Sequence, residues 1–366
     1  MLPIKGSNRS TAILRKERRT YAWGLMLTLL AVLLTACGSN ANQAAGDQPS
    51  ASDGAPSKQT SQPAQTDSAE AAANPEGNTT KSVKHDYGET VIPVHPKRIV
   101  SYLQEDILLA LDVPLVLAYR KEGDFLYEEL QAKNVPTFQS GSEPNYEAVL
   151  DAQPDLIIIS SGFPDQAAYE KLSKIAPTLA YDRDQWQESI LKIGQALDLE
   201  DEANAILQAY QDKLKQARET IIQTVGADKT VALVRTSEKE AELFFPDFSF
   251  GSVLYHDLGL TPATSITDLR KTTEETWGIT LSLEKLPELT ADYLFVTAGG
   301  SMSPPEVYQK ALDTLTGVEK LQVWKAIPAV KQNHKYNVSA RRWMLSGPIA
   351  DSAKIDDVVQ ALTDGK

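Results

Sequence analysis

The chain has 366 residues, of which 42% are hydrophobic and 23% are charged, and its formal net charge is −13. This length is enough for two domains of ordinary size, and an acidic chain of this kind is a poor ligand for nucleic acid, which we do not expect as a partner. Cys37 is the only cysteine, so no internal disulfide can form.

The N-terminal segment has the pattern of a lipoprotein signal peptide. Six basic residues precede an uncharged stretch, Tyr21 to Ala36, that is too short for a typical spanning helix. The stretch ends in Leu34-Thr35-Ala36-Cys37, which resembles a bacterial lipobox. We predict that residues 1–36 are removed and that Cys37 carries a lipid anchoring the chain to the outer, extracytoplasmic face of the cell membrane. A cysteine placed by chance at the end of a transmembrane helix is the alternative.

The next segment is polar throughout. Residues 38–82 contain no Ile, Leu, Met, Phe, Trp or Tyr, so they cannot bury a core. We therefore predict a disordered, lipid-anchored linker over residues 37–83. Without the basic signal peptide, the remaining chain is more acidic than the whole.

Short apolar runs alternate with amphipathic patterns over the rest of the chain, which predicts an α/β fold. Nearly continuous apolar runs are typical of parallel strands that helices cover on both faces. The strand candidates are Arg98–Leu103, Pro114–Tyr119, Asp155–Ser160, Thr230–Arg235, Asp292–Thr297 and Lys335–Ser339.

One long helix is predicted between the two halves. Apolar residues recur at helical spacing from Ala203 to Ile221, after a shorter helix at Ser189–Leu197 and before Gly226. We assign residues 84–198 to an N-terminal α/β lobe, 199–226 to this connecting helix and 227–366 to a C-terminal α/β lobe. A single rigid connecting helix permits only small hinge motion.

An internal repeat places the two halves in register. Glu147 is followed eight residues later by Asp155, which begins an apolar strand with Gly162 after it, and Glu284 is followed eight residues later by Asp292 in the same context. The repeat predicts that a helix, a turn, a buried strand and a glycine occur once in each lobe. Such units also look alike in many α/β proteins, and this remains the alternative reading.

The order and spacing of several motifs resemble the iron-siderophore and cobalamin class of ABC substrate-binding proteins, closest to those that bind ferric hydroxamates. The motifs are Ile92-Pro93, Pro96–Val100, Glu147, Pro154–Ile157, Gly251–Leu254, Leu258–Leu260, Leu283-Glu284, Trp343 and Gly347-Pro348. The resemblance implies two Rossmann-like lobes, one long backbone helix and a ligand cleft between the lobes. It also implies that Glu147 and Glu284 dock against arginines of the permease; each could instead be an ordinary exposed carboxylate.

Open α/β sheets bind ligands beyond the carboxyl ends of their strands, so the loops there should line the cleft. The ligand-binding candidates are Tyr102, Arg120, Arg235, Trp277, Arg341 and Trp343. Arginines indicate an anionic or oxygen-rich ligand, or else pair with the many acidic residues. The loop that holds Trp277 resembles the tryptophan-bearing loop of ferric-hydroxamate-binding proteins, although a core tryptophan is the alternative at both positions. If residues 341–343 form a strand, Arg341 shares a face with Trp343 and Arg342 does not.

The predicted function is capture of a ferric siderophore, of hydroxamate or citrate-hydroxamate type, by a monomeric binding protein that delivers it to an ABC permease and its ATPase. The four histidines are dispersed, so we expect no metal site and no cofactor, with iron held by the siderophore. Cobalamin or haem is the alternative ligand. An enzyme of the same architecture is a further alternative, but the sequence has no glycine-rich phosphate loop and no nucleophile motif, so we do not expect an enzyme.

Overall fold

The computed structural model describes residues 72–73, 79–139 and 143–364. The predicted signal peptide, Cys37 and most of the predicted linker lie outside these residues. Within the described ranges, no helix combines the length and apolarity needed to cross a bilayer.

Strands and helices alternate along the chain. The strands are β1 Ala72–Ala73, β2 Thr79–His85, β3 Gly88–Pro93, β4 Ile99–Tyr102, β5 Leu115–Tyr119, β6 Thr137–Phe138, β7 Leu156–Ser160, β8 Thr178–Tyr181, β9 Thr230–Thr236, β10 Glu240–Phe244, β11 Thr261–Pro262, β12 Gly278–Ser282, β13 Tyr293–Ala298 and β14 Lys335–Asn337. The helices are α1 Glu105–Ala110, α2 Tyr127–Ala132, α3 Tyr146–Asp151, α4 Gln166–Leu172, α5 Trp186–Leu197, α6 Glu200–Val225, α7 Ser249–Ser252, α8 Thr264–Arg270, α9 Pro305–Val318, α10 Gln322–Lys325, α11 Pro328–Lys331, α12 Ala340–Trp343 and α13 Pro348–Asp364, with a π-helix at Val253–Asp257 and a 3₁₀ helix at Leu283–Glu288.

A small antiparallel sheet precedes the first lobe and corrects the predicted linker boundary. Strand β2 pairs with β3, and β1 pairs with β2. The predicted boundary at residue 84 therefore falls inside β2. The sequence Thr79–His85 is almost entirely polar, and its side chains are at most half-buried, so no apolar run marks it as a strand.

The N-terminal lobe is built on a parallel sheet with strand order β6-β5-β4-β7-β8. Strand β7, next to the central strand β4, is buried along its whole length, as continuous apolar runs predict. The three strands predicted for this lobe are confirmed. The two edge strands, β6 and β8, were missed; both are short, with two and four residues.

The C-terminal lobe has a mixed sheet in the order β12-β10-β9-β13-β14, with β11 paired to β9. Strands β9, β13 and β14 are parallel and match the prediction, but β10 runs antiparallel to both β9 and β12. Strand β10 alternates exposed and buried residues, so it lacks the continuous apolar run by which the other strands were predicted.

The internal repeat corresponds to one structural device that is used twice. The carboxylate of Asp155 accepts hydrogen bonds from the backbone N–H groups of Lys97 and Arg98, both at 2.8 Å, just before β4. The carboxylate of Asp292 accepts from the backbone N–H and the hydroxyl of Thr230, both at 2.8 Å, at the start of β9. Each aspartate therefore pins the first residues of the neighbouring central strand.

The long connecting helix is confirmed as α6, Glu200–Val225. Its buried face includes Ala203, Tyr210 and Leu214, and it packs against α5 of the first lobe and α13 of the second. The Tyr210 hydroxyl donates to Asp257 at 2.7 Å in the second lobe, while its ring meets Trp186 of the first lobe at 4.9 Å. One helix thus contacts both lobes.

The C-terminal helix α13 is a second tie between the lobes, and the sequence analysis did not predict it. The buried carboxylate of Asp106 accepts hydrogen bonds from the backbone N–H groups of Ile349 at 2.7 Å and Ala350 at 3.0 Å, in the first turn of α13. Burial raises the pKa of Asp106 to about 7, while these two hydrogen bonds and nearby Arg120 oppose the rise. The same turn also contains Asp351, which accepts a hydrogen bond of 2.7 Å from the indole N–H of Trp186.

Gly347 allows this close approach. Its φ is +152°, and a Cβ there would lie 2.3–2.5 Å from atoms of the Asp106 side chain. No side chain fits that space. Gly347 is therefore required for Asp106 to reach the start of α13.

We expect Gly347→Ala to lower the free energy of unfolding by more than about 2 kcal/mol, since the new methyl group forces the Asp106 carboxylate away from α13. Gly317→Ala is the matched control, because nothing lies within 4 Å of the added Cβ in α9. That control should be neutral or more stable by up to about 1 kcal/mol. Chemical denaturation of both variants measures the difference, and equal stability would show that the contact between Gly347 and Asp106 is unimportant.

Candidate ligand cleft

The carboxyl ends of strands from the two lobes meet at one place. The Lys121 ammonium, after β5, donates to the backbone carbonyl of Met302, after β13. Met302 also packs against the hydrophobic cluster of the first lobe that contains Tyr102 and Tyr119. These contacts bring together the loops that the sequence analysis expected to line a cleft.

The N-terminal side of this region is aromatic. Tyr102 stacks on Tyr119 with ring centroids 4.3 Å apart, and Phe163 lies 6.3 Å from Tyr102. Tyr102 is 1% exposed, whereas Phe163 is 42% exposed. The predicted candidate Tyr102 is therefore buried beneath the aromatic surface. Phe163, which was not among the predicted candidates, is the exposed residue of that surface.

Arg120 lies where predicted, directly after β5, but it is buried in an ion pair. Its guanidinium is 3.0 Å from the Glu105 carboxylate, and both side chains are almost fully buried. Glu105 also accepts from the Ser101 hydroxyl at 2.9 Å and the Leu103 N–H at 3.0 Å. The charge of Arg120 is therefore compensated within the first lobe.

Arg183 lies near Arg120, just beyond the carboxyl end of β8, and was not among the predicted candidates. It follows β8, and since that strand was not predicted, the loop after it was not considered. Burial lowers the pKa of Arg183, with nearby Asp184 opposing the shift and Arg120 adding to it. Asp184 is 3.8 Å from the Arg183 guanidinium, and it accepts a hydrogen bond of 3.1 Å from Ser346 of the second lobe.

Arg341 joins the two lobes, and residues 341–343 do not form the strand in which Arg341 would share a face with Trp343. The segment is the short helix α12, in which Arg341 pairs with Asp124 of the first lobe at 2.8 Å. Its other terminal nitrogen donates to the Ser303 carbonyl at 2.9 Å, and its guanidinium lies 4.5 Å from the Tyr308 ring centroid. Arg341 is thus bound to carboxylate, carbonyl and aromatic groups of the protein itself.

Trp343 is a core residue, which corrects the prediction that it lines the cleft. Its exposure is 0%, its ring stacks on Phe295 at 5.4 Å, and its indole N–H donates to Asp357 at 2.7 Å. Arg342 donates to the same carboxylate at 2.6 Å. Residues two apart on a helix point to opposite sides, so Arg341 and Trp343 share no face.

The C-terminal side of the region contains a cavity of about 470 Å³. It is formed at the carboxyl ends of β9 and β13, by β10 and β12, and by α9. The lining residues are Arg235, Thr236, Ser237, Glu238, Glu240, Glu242, Thr280, Gly299, Gly300, Ser303, Val307, Lys310, Ala311 and Thr314. The size and the mixture of polar and small residues suit a small-molecule site.

Arg235 and Trp277, both predicted, meet around one aromatic ring beside this cavity. The Arg235 guanidinium lies 5.5 Å from the Phe244 ring centroid, and the half-buried Trp277 packs edge-on to the same ring at 6.3 Å. Arg235 also lines the cavity, together with Thr236. The Thr236 hydroxyl is buried and has no hydrogen-bond partner among the described residues, so it can donate to or accept from a ligand.

Glu147 and Glu284 are both exposed and both lie in the first turn of a helix, α3 in one lobe and the 3₁₀ helix in the other. No hydrogen bond or ion pair from the described side chains reaches either carboxylate. Both are therefore available to a partner.

Comparison with known proteins agrees with this architecture. The model of the family described as periplasmic binding protein matches residues 99–341, which span both lobes and α6. The chain belongs to the periplasmic binding protein family.

Two relatives of this chain are named for binding iron(3+)-hydroxamate or siderophores. The iron(3+)-hydroxamate-binding protein FhuD of Bacillus subtilis is 29% identical over 298 residues, covering 80% of this chain and 89% of FhuD. The probable siderophore-binding lipoprotein YfiY of B. subtilis is 27% identical over 303 residues, covering 80% and 91%. A B. subtilis crystal structure, described as a periplasmic binding protein of the FhuD fold family and a component of a ferrichrome ABC transporter, aligns with a TM-score of 0.64 and 30% identity over 76% of this chain and 99% of that chain.

The two candidate tryptophans of this periplasmic binding protein, Trp277 and Trp343, should differ in their effect on stability. We expect Trp343→Ala to cost about 3–5 kcal/mol of unfolding free energy, because it empties a fully buried site and leaves Asp357 without the indole N–H. Trp277→Ala is the comparison and should cost less than half of that, since Trp277 is only partly buried. Denaturant unfolding of both variants tests this, and equal losses would contradict the core assignment of Trp343.

Proposed function

We propose that this chain is the extracytoplasmic solute-binding component of an ABC importer, and that it captures a ferric siderophore and delivers it to the membrane permease. The observation that carries the proposal is that the whole two-lobed body, with its connecting helix, is shared with a protein named for iron(3+)-hydroxamate binding and with a component of a ferrichrome transporter. The cleft supports the same ligand class, because it combines aromatic faces with hydroxyl and guanidinium donors.

In this proposal the iron stays within the chelate, and the protein binds the outside of the chelate. Arg235 and Thr236 donate to its oxygens, while Trp277 and Phe163 cover its apolar periphery. Arg120 and Arg341 hold the walls of the cleft in place through their ion pairs with Glu105 and Asp124. They reach a ligand only if those pairs open. The protein carries out no chemical change on the chelate.

Titration of intrinsic tryptophan fluorescence tests the ligand class. Ferrichrome should quench the protein at micromolar concentration or below, while iron salts without a chelator should not, because the donors of the cleft bind the chelate's oxygens and periphery rather than bare iron. Cobalamin and haem serve as bulky competitors in the same assay. Quenching by cobalamin or haem, with no quenching by the ferric chelates, would overturn the siderophore assignment.

We further propose that Cys37 is the lipid-anchored residue and that the body is held at the outer face of the membrane. The support is the lipobox-like sequence before Cys37 and the lipoprotein name of a relative. The importer's permease and ATPase are the proposed partners, with Glu147 and Glu284 as the docking residues. Their support is exposure, the lack of a partner among the described side chains and matching places in the repeat.

We expect Glu147→Ala and Glu284→Ala to leave chelate affinity unchanged and to depress uptake by the assembled importer. Exposed carboxylates contribute little to their own fold, but truncating one leaves a cation of the permease unpaired, at a cost of about 2–5 kcal/mol if the contact is dry. Calorimetry on the protein and transport into reconstituted vesicles measure the two effects separately.

Glu219→Ala is the control for these variants, because Glu219 is also an exposed helix carboxylate but lies on α6. It should change neither affinity nor uptake. Normal uptake in the Glu147 and Glu284 variants, or an equal loss in the Glu219 variant, would exclude the docking assignment.

A further inference from the structure

Arg235 and Glu242 form a cross-strand pair at the wall of the cavity. They are directly opposite each other on the antiparallel strands β9 and β10, and the Arg235 Nε–H donates to the Glu242 carboxylate. Both side chains are 30% exposed. The guanidinium is further held by the Phe244 ring on one side and by the Met344 sulfur at 4.0 Å. The strand register therefore fixes a carboxylate beside the one cleft arginine that lines the cavity.

The charged lining of the cavity is acidic overall. Its cations are Arg235 and Lys310, and its carboxylates are Glu238, Glu240 and Glu242. Two positive and three negative side chains leave one excess negative charge at the site. The remaining polar lining consists of hydroxyl groups and glycine backbone, including the Thr236 hydroxyl, which has no partner among the described residues. The cavity thus offers hydrogen-bond donors without a net positive charge on its lining side chains.

The other predicted cleft arginines do not add positive charge. Arg120 and Arg341 are each bound to a carboxylate, and these pairs are buried. Turning either arginine toward a ligand would leave Glu105 or Asp124 buried and unpaired, which is strongly unfavourable. The pair of Arg235 and Glu242 is partly solvated, so it is the pair in which a ligand can compete.

From this arrangement, and resting on the proposed function, we infer that Glu242 is a specificity-determining residue. It neutralises Arg235, so the cleft selects ferric chelates without net charge and disfavours chelates that carry free carboxylates. A neutral trihydroxamate accepts hydrogen bonds from the remaining guanidinium N–H groups and from Thr236. A carboxylate at the same place meets the negative charge of Glu242 or has to displace it from Arg235.

Calorimetric titration of Glu242→Gln with two chelates tests the inference. The probes are ferrichrome, a neutral ferric trihydroxamate, and a ferric citrate-dihydroxamate that bears free carboxylate. The unmodified protein should prefer the neutral chelate. In Glu242→Gln the affinity for the anionic chelate should rise about tenfold, the scale of one partly solvated charge contact, while the affinity for ferrichrome changes by less than about threefold. Added salt should reduce the gain.

Glu240→Gln is the matched control. Glu240 lines the same cavity, and its carboxylate has no ion-pair partner in the described part of the chain, so the substitution removes the same charge without freeing an arginine. It should raise the affinity for the anionic chelate by less than about threefold, because its charge is solvated. In the double variant Arg235→Gln/Glu242→Gln the tenfold gain should disappear.

The outcomes separate the inference from the proposed function. If the unmodified protein binds ferrichrome but Glu242→Gln leaves the ratio of the two dissociation constants unchanged, the inference is overturned and the proposed function stands. An equal gain in Glu240→Gln, or a gain that survives in the double variant, also overturns it. If the unmodified protein binds neither chelate, the proposed function itself fails.

Discussion

The hydrogen bonds from the start of α13 to Asp106 set the geometry on which the cleft depends. A carboxylate on the first helix of one lobe accepts two backbone N–H groups from the last helix of the other, in a place that water does not reach. Helix N-termini favour negative charge, which offsets part of the cost of burying Asp106. Gly347 is the local requirement for this contact. Helix α6 also connects the two lobes, at a different place. The lobes are therefore held at two places, which disfavours a large closing motion of one lobe toward the other.

Within this frame, the chemistry of the cleft follows from how its arginines are compensated. The body is acidic, yet the three arginines predicted for the cleft are each matched to a carboxylate: Arg120 to Glu105, Arg235 to Glu242 and Arg341 to Asp124. The depth of each pair decides its role. A buried ion pair holds a wall of the cleft in place, because breaking the pair leaves a buried charge unpaired. The partly solvated pair at Arg235 can instead exchange its partner for a ligand. Counting arginines in the sequence therefore overstates the positive charge that a ligand meets.

The sequence was sufficient for the architecture because the features that define it are local and periodic. Strands such as β7 and the helix α6 are long, regular patterns, and the spacing between Glu147 and Asp155 repeats at Glu284 and Asp292. Strand β10 was not predicted because one of its faces is largely polar. The site was predicted less well. Trp343 is a core residue because it contacts Phe295, which is distant in sequence, and Asp357, which lies on another helix, and no local pattern shows these contacts.

The repeat also explains why the two exposed glutamates are held in a defined geometry. Asp155 and Asp292 are each hydrogen-bonded to the beginning of the central strand beside them, which fixes the chain at the amino end of β7 and β13. Glu147 and Glu284 stand eight residues earlier, in the first turn of the helices that lead into those strands. The position of each glutamate relative to its sheet is therefore set by a short, anchored segment. Since α6 and α13 join the sheets, we expect the separation of the two carboxylates to change little when a ligand binds.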